Sequence, residues 1–343
     1  MTKALTNWTD IPEGVEVWDS TKIKTVFDCQ QKSAYKAEGW RGKGFAAAML
    51  WGQAFHEVTE VFDHLVLWPS WLRGDDHAFE VYMSGVMLIV AKWKDELFDK
   101  LPEKDTKRKP EVFIRTAIGY WETWWGKEPF KTAKLGTVVG SELHWAFEYK
   151  GFWFTGYIDR VAMTETSRLY VVDRKTTGAS LNENAALNYF AKYEMDLQMI
   201  LYAEAISRVY GKEVDGVMID AIQPLVKESR FKKFPMRFTQ SARLEALDQI
   251  VTRLKAYTFN REHSVPYEMN YQACDGMFSC AFKKVCRKLP AARVVTLEAE
   301  FDKPERWNPR EPRESVISKL GGWDAIRALA EQSGETRAEV NEG

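Results

Sequence analysis

The residues most informative about the fold are 152–176, which read FWFTGYIDRVAMTETSRLYVVDRKT. Two runs in this stretch, Phe152–Met163 and Leu169–Asp173, are rich in β-branched and aromatic residues and predict strands. Glu165–Arg168 between them is typical of a turn, and the upstream run Thr137–Tyr149 predicts another strand. Together these runs predict a three-stranded antiparallel meander.

Helical periodicity surrounds this meander on both sides. Upstream, the spacing of apolar residues predicts helices that start at Ser20 or Thr21 and pass Cys29, and then cover Ala46–His64, Val81–Leu101 and Val112–Trp125. Downstream it predicts a helix at Ala185–Tyr210, strands at Gly216–Leu225 and Phe231–Thr239, and a helix at Ser241–Phe259. This order favours an α/β domain in which helices flank a mixed β-sheet.

Asp159, Asp173 and Lys175 form the strongest candidate site. Side chains at i and i+2 of a strand face the same side, so Asp173 and Lys175 point together, and an antiparallel neighbour can bring Asp159 beside them. The two carboxylates can hold Mg²⁺ or Mn²⁺ through oxygen atoms, and the lysine can orient or help deprotonate a water. The alternative is an exposed strand edge with a salt bridge.

Helical positions add three polar candidates. Gln198 and Tyr202 lie four residues apart and hence on one helix face, where both can form hydrogen bonds. A Gln and a Tyr at this spacing are common on helices, so the pair assigns no function by itself. His56 lies in a predicted helix and is either a nitrogen ligand to the same metal or a satisfied or solvated imidazole.

The four cysteines are Cys29, Cys274, Cys280 and Cys286, with five residues between each neighbouring pair of the last three. In a cytosolic protein such a cluster predicts a metal rather than disulfides. Four thiolates suit either zinc or an iron–sulfur cluster. The alternative is a set of unrelated buried thiols, because free cysteine packs as a small hydrophobic residue.

The composition is that of a globular chain, since 45% of its 343 residues are hydrophobic and 28% are charged, which excludes a disordered or fibrous protein. The longest nearly apolar run, Tyr82–Ala91, is too short to span a membrane, and Met1–Trp18 lacks the pattern of a signal peptide. We therefore expect a cytoplasmic protein with no membrane partner. The net charge is −1, but Lys227–Arg237 and Lys283–Arg293 are locally basic, which suits either nucleic acid or a solvated surface.

In their order along the chain these residues resemble the PD-(D/E)XK nucleases, in the RecB-like branch with the CRISPR-associated and AddB-type iron–sulfur exonucleases. The matching series is Ser20-Thr21, Cys29, Tyr35, Gly52 and His56, Gly156-x-Ile158-Asp159, Asp173-x-Lys175, Gln198-x3-Tyr202 and the three terminal cysteines. It covers roughly Ser20 to Cys286, and Cys29 is separated from the other three cysteines as in that branch. The terminal cysteines are spaced x5 and x5, whereas the best-known members have x2 and x5.

The resemblance implies a restriction-endonuclease-like core and a role for each matching position. Asp159, Asp173, His56 and the backbone carbonyl of Arg174 would ligate Mg²⁺ or Mn²⁺, and Lys175 would be the catalytic lysine. Gln198 and Tyr202 would bind the active-site end of the DNA, and Glu142 would support the site. The four cysteines would hold a [4Fe-4S] cluster, with zinc as the alternative.

The implied function is that of a metal-dependent DNA exonuclease acting in DNA recombination, repair or phage replication, with recombination proteins as partners. A catalytically inactive DNA-binding or recombination-assembly protein of the same fold is the alternative. The sequence holds no Gly-x4-Gly-Lys-[Ser/Thr] loop, so we expect no use of ATP. The expected boundaries are an extension at 1–19, a nuclease domain at 20–290 and an acidic, partly disordered tail at 291–343. Within the domain we expect a helical subdomain at 56–135, a catalytic core at 136–240 and the cysteine segment at 265–290.

Overall fold

The structure, a computed structural model, describes residues 11–44, 46–66, 75–127, 130–132, 134–135, 138–275, 280–304, 308 and 313–342. The α-helices are α1 (Ser20–Asp28), α2 (Gln30–Ala37), α3 (Ala47–Leu65), α4 (Asp75–Lys92), α5 (Pro110–Trp124), α6 (Glu183–Ala191), α7 (Leu197–Tyr210), α8 (Gln240–Glu262), α9 (Lys283–Cys286), α10 (Pro290–Glu300), α11 (Val316–Lys319) and α12 (Gly322–Glu342). The strands are β1 (Val17–Trp18), β2 (Arg41–Gly42), β3 (Phe130–Thr132), β4 (Lys134–Leu135), β5 (Val138–Val139), β6 (Ser141–Tyr149), β7 (Phe152–Thr164), β8 (Leu169–Thr176), β9 (Gly216–Gln223), β10 (Arg230–Met236) and β11 (Phe301–Asp302).

The chain divides into two compact units. The first unit comprises Met1–Phe45, Trp145–Gly156 and Thr239–Glu311. The second comprises Ala46–His144, Tyr157–Phe238 and Pro312–Gly343. Strands β6 and β7 each contribute residues to both units, and the domain boundaries expected from the sequence stay a prediction.

The second unit carries a mixed sheet. Strand β7 pairs with β8 in antiparallel register, with Arg160 opposite Val172. Strand β8 is parallel to β9, with Asp173 opposite Ile219, and β10 returns antiparallel to β9. The parallel step from β8 to β9 is made by α6 and α7, which provide the long crossover that parallel strands need. The α/β class with a mixed sheet and flanking helices is therefore confirmed.

The main core of the second unit lies among α3, α4 and α5. Phe55, Phe62, Tyr82 and Tyr120 are almost fully buried there. The same core includes Val316, Ile317, Leu320, Ile326 and Ala330 from the C-terminal segment. The sequence predicts that this segment is a polar, partly disordered tail, but its few apolar residues recur at helical spacing and pack on the core. In the described residues we find no helix with the length and apolar character needed to cross a membrane.

The first unit has a small core of its own. Tyr35, Phe282, Val285, Leu297 and Phe301 are buried together, and Cys280 and Cys286 pack against them. Strand β1 pairs in parallel with the start of β7, and β2 pairs with β11. This arrangement brings α2, β2 and the cysteine segment into one unit.

Helices predicted as continuous are broken at two places. The first break is at Cys29, whose φ of −169° and ψ of 117° are extended and separate α1 from α2. The second lies between α6 and α7, where the Asp196 side chain accepts hydrogen bonds from the backbone N–H groups of Gln198 and Met199. Asp is a strong N-cap residue, so α7 begins at Leu197 and Gln198 falls in its first turn. The helix predicted over Val81–Leu101 ends at Lys92, followed by turns and a short 3₁₀ segment at Phe98–Lys100.

Candidate active site

Three elements of the second unit bring His56, Glu142 and Asp159 together. His56 lies on α3, Glu142 is the second residue of β6, and Asp159 lies within β7. One possible ligand atom from each lies within 4.8 Å of the other two. Among the described residues, no other set of three His, Cys, Asp or Glu side chains comes this close together. The Nδ1 atom of His56 is 3.4 Å from Oδ1 of Asp159. The resemblance implied a supporting role for Glu142, but its position makes it a candidate ligand.

The backbone of Glu142 is strained. Its φ is 47°, in the left-handed region where residues with a side chain are uncommon. Such conformations cost of order 1–3 kcal/mol and are concentrated at functional sites. The side chain is only 9% exposed, so the strain accompanies a nearly buried carboxyl group held close to His56 and Asp159.

Asp173 and Lys175 project from β8 beside this group, as strand alternation predicts. The main-chain pairing of β7 with β8 ends at Arg160 and Val172, and the same register continued by one residue would place Asp159 opposite Asp173. Beyond the paired residues, the backbone N–H of Arg174 donates to the side chain of Asp159, with 2.6 Å between the nitrogen and Oδ2. The Nζ of Lys175 lies 3.0 Å from Oδ1 and 2.8 Å from Oδ2 of Asp173.

Gln198 and Tyr202 extend this chain of polar contacts onto α7. The Nζ of Lys175 donates to Oε1 of Gln198 at 3.4 Å, and Nε2 of Gln198 donates to the Tyr202 hydroxyl at 2.8 Å. The spacing of four residues places both side chains on one helix face, as predicted. The structure thus links the predicted metal ligands Asp159 and Asp173 to Lys175, Gln198 and Tyr202. The chemical roles of these residues stay predictions.

The two aspartates experience opposite electrostatic environments. Burial alone would raise the pKa of Asp159, but the charge and hydrogen bond of His56, with Lys175 and the Arg174 N–H, hold that pKa well below its usual value. Burial raises the pKa of Asp173 to about 6, although Lys175 acts to lower it. Burial also raises the pKa of Glu142 to about 8, against the lowering effect of Arg313. A metal-free site therefore favours protonated Glu142, and a bound cation would favour its ionised form.

Arg174 points its side chain to the opposite face of β8 from Asp173 and Lys175. Its guanidinium is buried and forms two hydrogen bonds to Asp63, with Nη1 at 2.7 Å from Oδ2 and Nη2 at 2.6 Å from Oδ1. The backbone of Arg174 faces the site through its bond to Asp159. The prediction that its carbonyl ligates a metal stays a prediction.

Sequence reasoning missed three residues next to the site. Glu60 is one helical turn after His56, a spacing that could have identified it, and its carboxylate accepts a hydrogen bond from the Val316 N–H. Tyr157 precedes Asp159 by two residues in β7, and its hydroxyl accepts a hydrogen bond from the Arg313 N–H. Arg313 itself forms an ion pair with Glu142, and its distance along the chain gave no signal.

The four cysteines lie in the first unit, and all are partly buried free thiols. Burial raises the pKa of the Cys274 and Cys286 thiols, and the other cysteines raise it further, so the four sulfurs are electrostatic neighbours. No three of the sulfurs in the described residues lie within 4.8 Å of one another. In the described residues the four cysteines therefore share one unit but do not form a closed set of metal ligands.

Comparisons with known proteins agree with this arrangement. The family model for the PD-(D/E)XK nuclease superfamily matches residues 20–287, which is more than half of the chain. A solved structure of a proposed exonuclease from Eubacterium rectale has a TM-score of 0.46 at 13% identity and covers 81% of this chain and 92% of its own. The solved structure of SSO0001 has a TM-score of 0.24 at 11% identity, and the match covers 58% of this chain and 85% of that one. A search of curated proteins gives no match. With TM-scores below 0.5, the two structures add nothing to the family match. On that match, which spans every residue of the candidate site except Arg313, the chain belongs to the PD-(D/E)XK nuclease superfamily.

Proposed function

We propose that this protein is a Mg²⁺- or Mn²⁺-dependent DNA exonuclease of the RecB-like branch. The observation that supports this most strongly is the meeting of His56, Glu142 and Asp159 beside the Asp173–Lys175 pair in a chain of this superfamily. The substrate of a nuclease is nucleic acid, and the choice of DNA and of exonuclease action is our proposal.

The donor set fits a divalent cation. Two carboxylates and an imidazole converge, and a third carboxylate, that of Asp173, lies beside them. Carboxylate oxygens suit Mg²⁺ and Mn²⁺, while the imidazole of His56 favours the softer Mn²⁺. A cation held here would supply positive charge to polarise the phosphoryl oxygen and lower the pKa of a nucleophilic water.

The other side chains would act on the substrate directly. Lys175, oriented by Asp173 and Gln198, would stabilise the negative charge that develops on the phosphoryl group. Gln198 and Tyr202 would hold the nucleotide next to the scissile bond through hydrogen bonds. Since water is the attacking group, no Ser or Cys nucleophile is required.

Cleavage of end-labelled and circular DNA in Mg²⁺, Mn²⁺ or EDTA tests the proposal. We expect degradation from ends, loss of activity in EDTA, and a fall of at least about 100-fold in rate for Asp173→Asn and Lys175→Ala. Lys212→Ala removes an exposed lysine that follows the C-terminal end of α7, whose first turn carries Gln198, and should leave the rate unchanged. Near wild-type cleavage by both site variants would contradict the assignment, and DNA binding by the wild type without cleavage would favour the inactive alternative.

We also propose that the four cysteines hold a [4Fe-4S] cluster. Tetrahedral zinc with Zn–S bonds of about 2.3 Å requires its sulfurs to lie only about 3.8 Å apart, whereas four irons separate their thiolates further. All four cysteines belong to the first unit, and among the described residues no three of their sulfurs lie within 4.8 Å of one another, a spacing that suits the larger group better. The cluster would be structural, because the candidate metal ligands of the active site belong to the second unit.

The proposed setting is the cytoplasm, in DNA recombination, repair or phage replication. No phosphate-binding loop for ATP occurs in the sequence, so we propose that any processive movement along DNA depends on recombination partner proteins. Copurification of such proteins with the tagged chain would support this setting.

A further inference from the structure

Arg313 reaches the candidate active site from outside the part of the chain that the family model matches, which ends at residue 287. Its Nη1 donates to Oε2 of Glu142 at 2.6 Å. The carboxylate of Glu142 has a second oxygen, Oε1, so the pair leaves this residue able to serve as a ligand. A cationic side chain from the C-terminal segment thus lies directly against the proposed metal site.

The segment that carries Arg313 is anchored on both sides of the site. The backbone N–H of Arg313 donates to the Tyr157 hydroxyl at 3.0 Å, two residues from Asp159 along β7. The backbone N–H of Val316 donates to Oε1 of Glu60 at 2.9 Å, one turn from His56 along α3. The following side chains of Val316 and Ile317 are buried in the core. These contacts hold Arg313 in place on the same elements that supply the ligands.

The candidate site would be strongly negative once its carboxyl groups are ionised. Glu142, Asp159 and Asp173, with Glu60 nearby, place four carboxyl groups where an anionic phosphodiester must bind. Arg313 offsets part of this charge, since it interacts with Glu142, Glu60 and Asp159. Its side chain is 38% exposed, and in the described part of the chain Glu142 is its ion-pair partner. One of the five N–H donors of its guanidinium binds Glu142, and the planar group presents its donors in a fork whose geometry matches a phosphate.

We propose that Arg313 is a substrate-binding residue that contacts a phosphate of the DNA strand at the active site. The inference rests on the proposed nuclease function and adds a group supplied by the C-terminal segment. The competing explanation is that Arg313 only orients Glu142 for the metal. The two explanations predict different effects of removing Arg313. A phosphate contact contributes to the salt dependence of DNA binding, so its loss would reduce that dependence, whereas the loss of a contact that only orients Glu142 would not.

The test measures binding of a fluorescent oligonucleotide in Ca²⁺ over a series of KCl concentrations, with gels to show that the DNA stays intact. The variants are Arg313→Ala and Arg313→Gln, and the glutamine retains a hydrogen-bond donor for Glu142 without the charge. Lys319→Ala is the matched control, because this exposed lysine lies on the same segment. Calorimetric titration with Mn²⁺ and thermal melting are recorded for each protein.

We expect both Arg313 variants to bind DNA about 10-fold or more weakly. The slope of log K against log salt should fall in magnitude by about one, with Mn²⁺ affinity and melting close to wild type. Lys319→Ala should match the wild type. An unchanged slope with weakened Mn²⁺ binding would assign Arg313 to the orientation of Glu142 and overturn the inference, as would an equal loss in Lys319→Ala. A wild-type protein that neither binds nor cleaves DNA would instead refute the proposed function, and this inference with it.

Discussion

At the scale of single residues, the site separates its aspartates into two electrostatic roles. His56 and the Arg174 N–H keep the pKa of Asp159 low despite burial, so this carboxylate is ionised before any cation arrives. Burial raises the pKa of Asp173 to about 6, and Lys175 compensates only partly. Carboxylates whose pKa values are pushed apart commonly divide the work of a site. In the proposed site Asp159 would therefore be the better anchor for a cation, and Asp173 would be the better partner for Lys175.

Glu60 provides a residue-level prediction about pH and stability. Burial raises its pKa to about 7, against a lowering effect of the Val316 N–H and Arg313. In the unfolded chain its pKa would be about 4.3, so between these two values the folded state holds a proton that the unfolded state has lost. The free energy of unfolding should therefore fall as pH rises from about 4.3 to about 7, by at most about 4 kcal/mol, and then level off.

Glu60→Gln tests this prediction, because glutamine keeps an oxygen acceptor for the Val316 N–H and does not titrate. Denaturation by urea, in EDTA and at pH values from 4.5 to 8, gives the difference in unfolding free energy between the variant and the wild type. The variant should gain on the wild type as pH rises through this range. A difference that does not vary with pH would show that Glu60 is ionised in the folded protein.

The sequence predicts those parts of the site whose residues share one strand or one helix, because side chains on one face of such an element recur at a fixed spacing. Asp173 and Lys175, and likewise Gln198 and Tyr202, occur at the spacings of a strand and a helix, so their shared faces could be predicted. The joining of His56 to Asp159 followed from the family resemblance alone. The place of Glu142 depends on a positive φ at the start of β6, and that of Arg313 on tertiary packing, and neither leaves a local pattern.

At the scale of elements, β8 links the active site to a buried ionic network on its other face. Arg174 binds Asp63 through two hydrogen bonds, and Arg160 lies 3.4 Å from the same carboxylate. The Tyr120 hydroxyl donates to Asp220 at 2.7 Å, and Nε of Arg174 is 3.8 Å from that aspartate. The network spans α3, α5, β7, β8 and β9, so it fixes β8 against its neighbours and with it the backbone that contacts Asp159.

Asp63→Ala should therefore destabilise the protein strongly. The change leaves Arg174 and Arg160 buried with fewer counter-charges, and breaking a buried ion pair in this way costs about 3–5 kcal/mol. Asp248→Ala is the matched control, since Asp248 pairs with Lys150 at the surface and its loss should change stability little. Urea denaturation of both variants measures the costs. A loss below about 1 kcal/mol for Asp63→Ala would mean that the two arginines find other partners.

Element boundaries show where local sequence signals are insufficient. The strands of the meander were predicted closely because β-branched and aromatic residues mark them along their whole length. The break at Cys29 was missed, since helical periodicity continues on both sides of it and the extended conformation of one residue has no local signature. The break before α7 did have a signal, the capping residue Asp196. In the C-terminal segment the overall polarity obscured the few apolar residues that pack on the core.

At the scale of the whole molecule, the four cysteines come from distant parts of the sequence and lie in the first unit. Cys29 lies between α1 and α2, and the other three lie near or within the short helix α9. A cluster that joins them would close a chain loop of roughly 250 residues, and cross-links that close long loops remove several kcal/mol of unfolded-state entropy in the related disulfide case. Assembly of metal sites is also coupled to folding.

Replacing Cys29 by Ala should consequently affect the whole protein. We expect loss of bound iron and of the brown colour, a lower melting temperature and lower solubility, while DNA cleavage falls only indirectly because the proposed catalytic ligands belong to the second unit. Gln31→Ala, two residues along the same segment, should retain the iron and melt like the wild type. Iron and zinc analysis, visible absorption and thermal melting of anaerobically purified protein measure these effects.

If the wild-type protein were colourless and contained zinc, the result would contradict the iron–sulfur cluster and favour a zinc site. If instead Cys29→Ala kept its iron and melted like the wild type, Cys29 would be an ordinary buried thiol, because a four-thiolate cluster that loses one ligand cannot keep both its metal content and the loop that it closes.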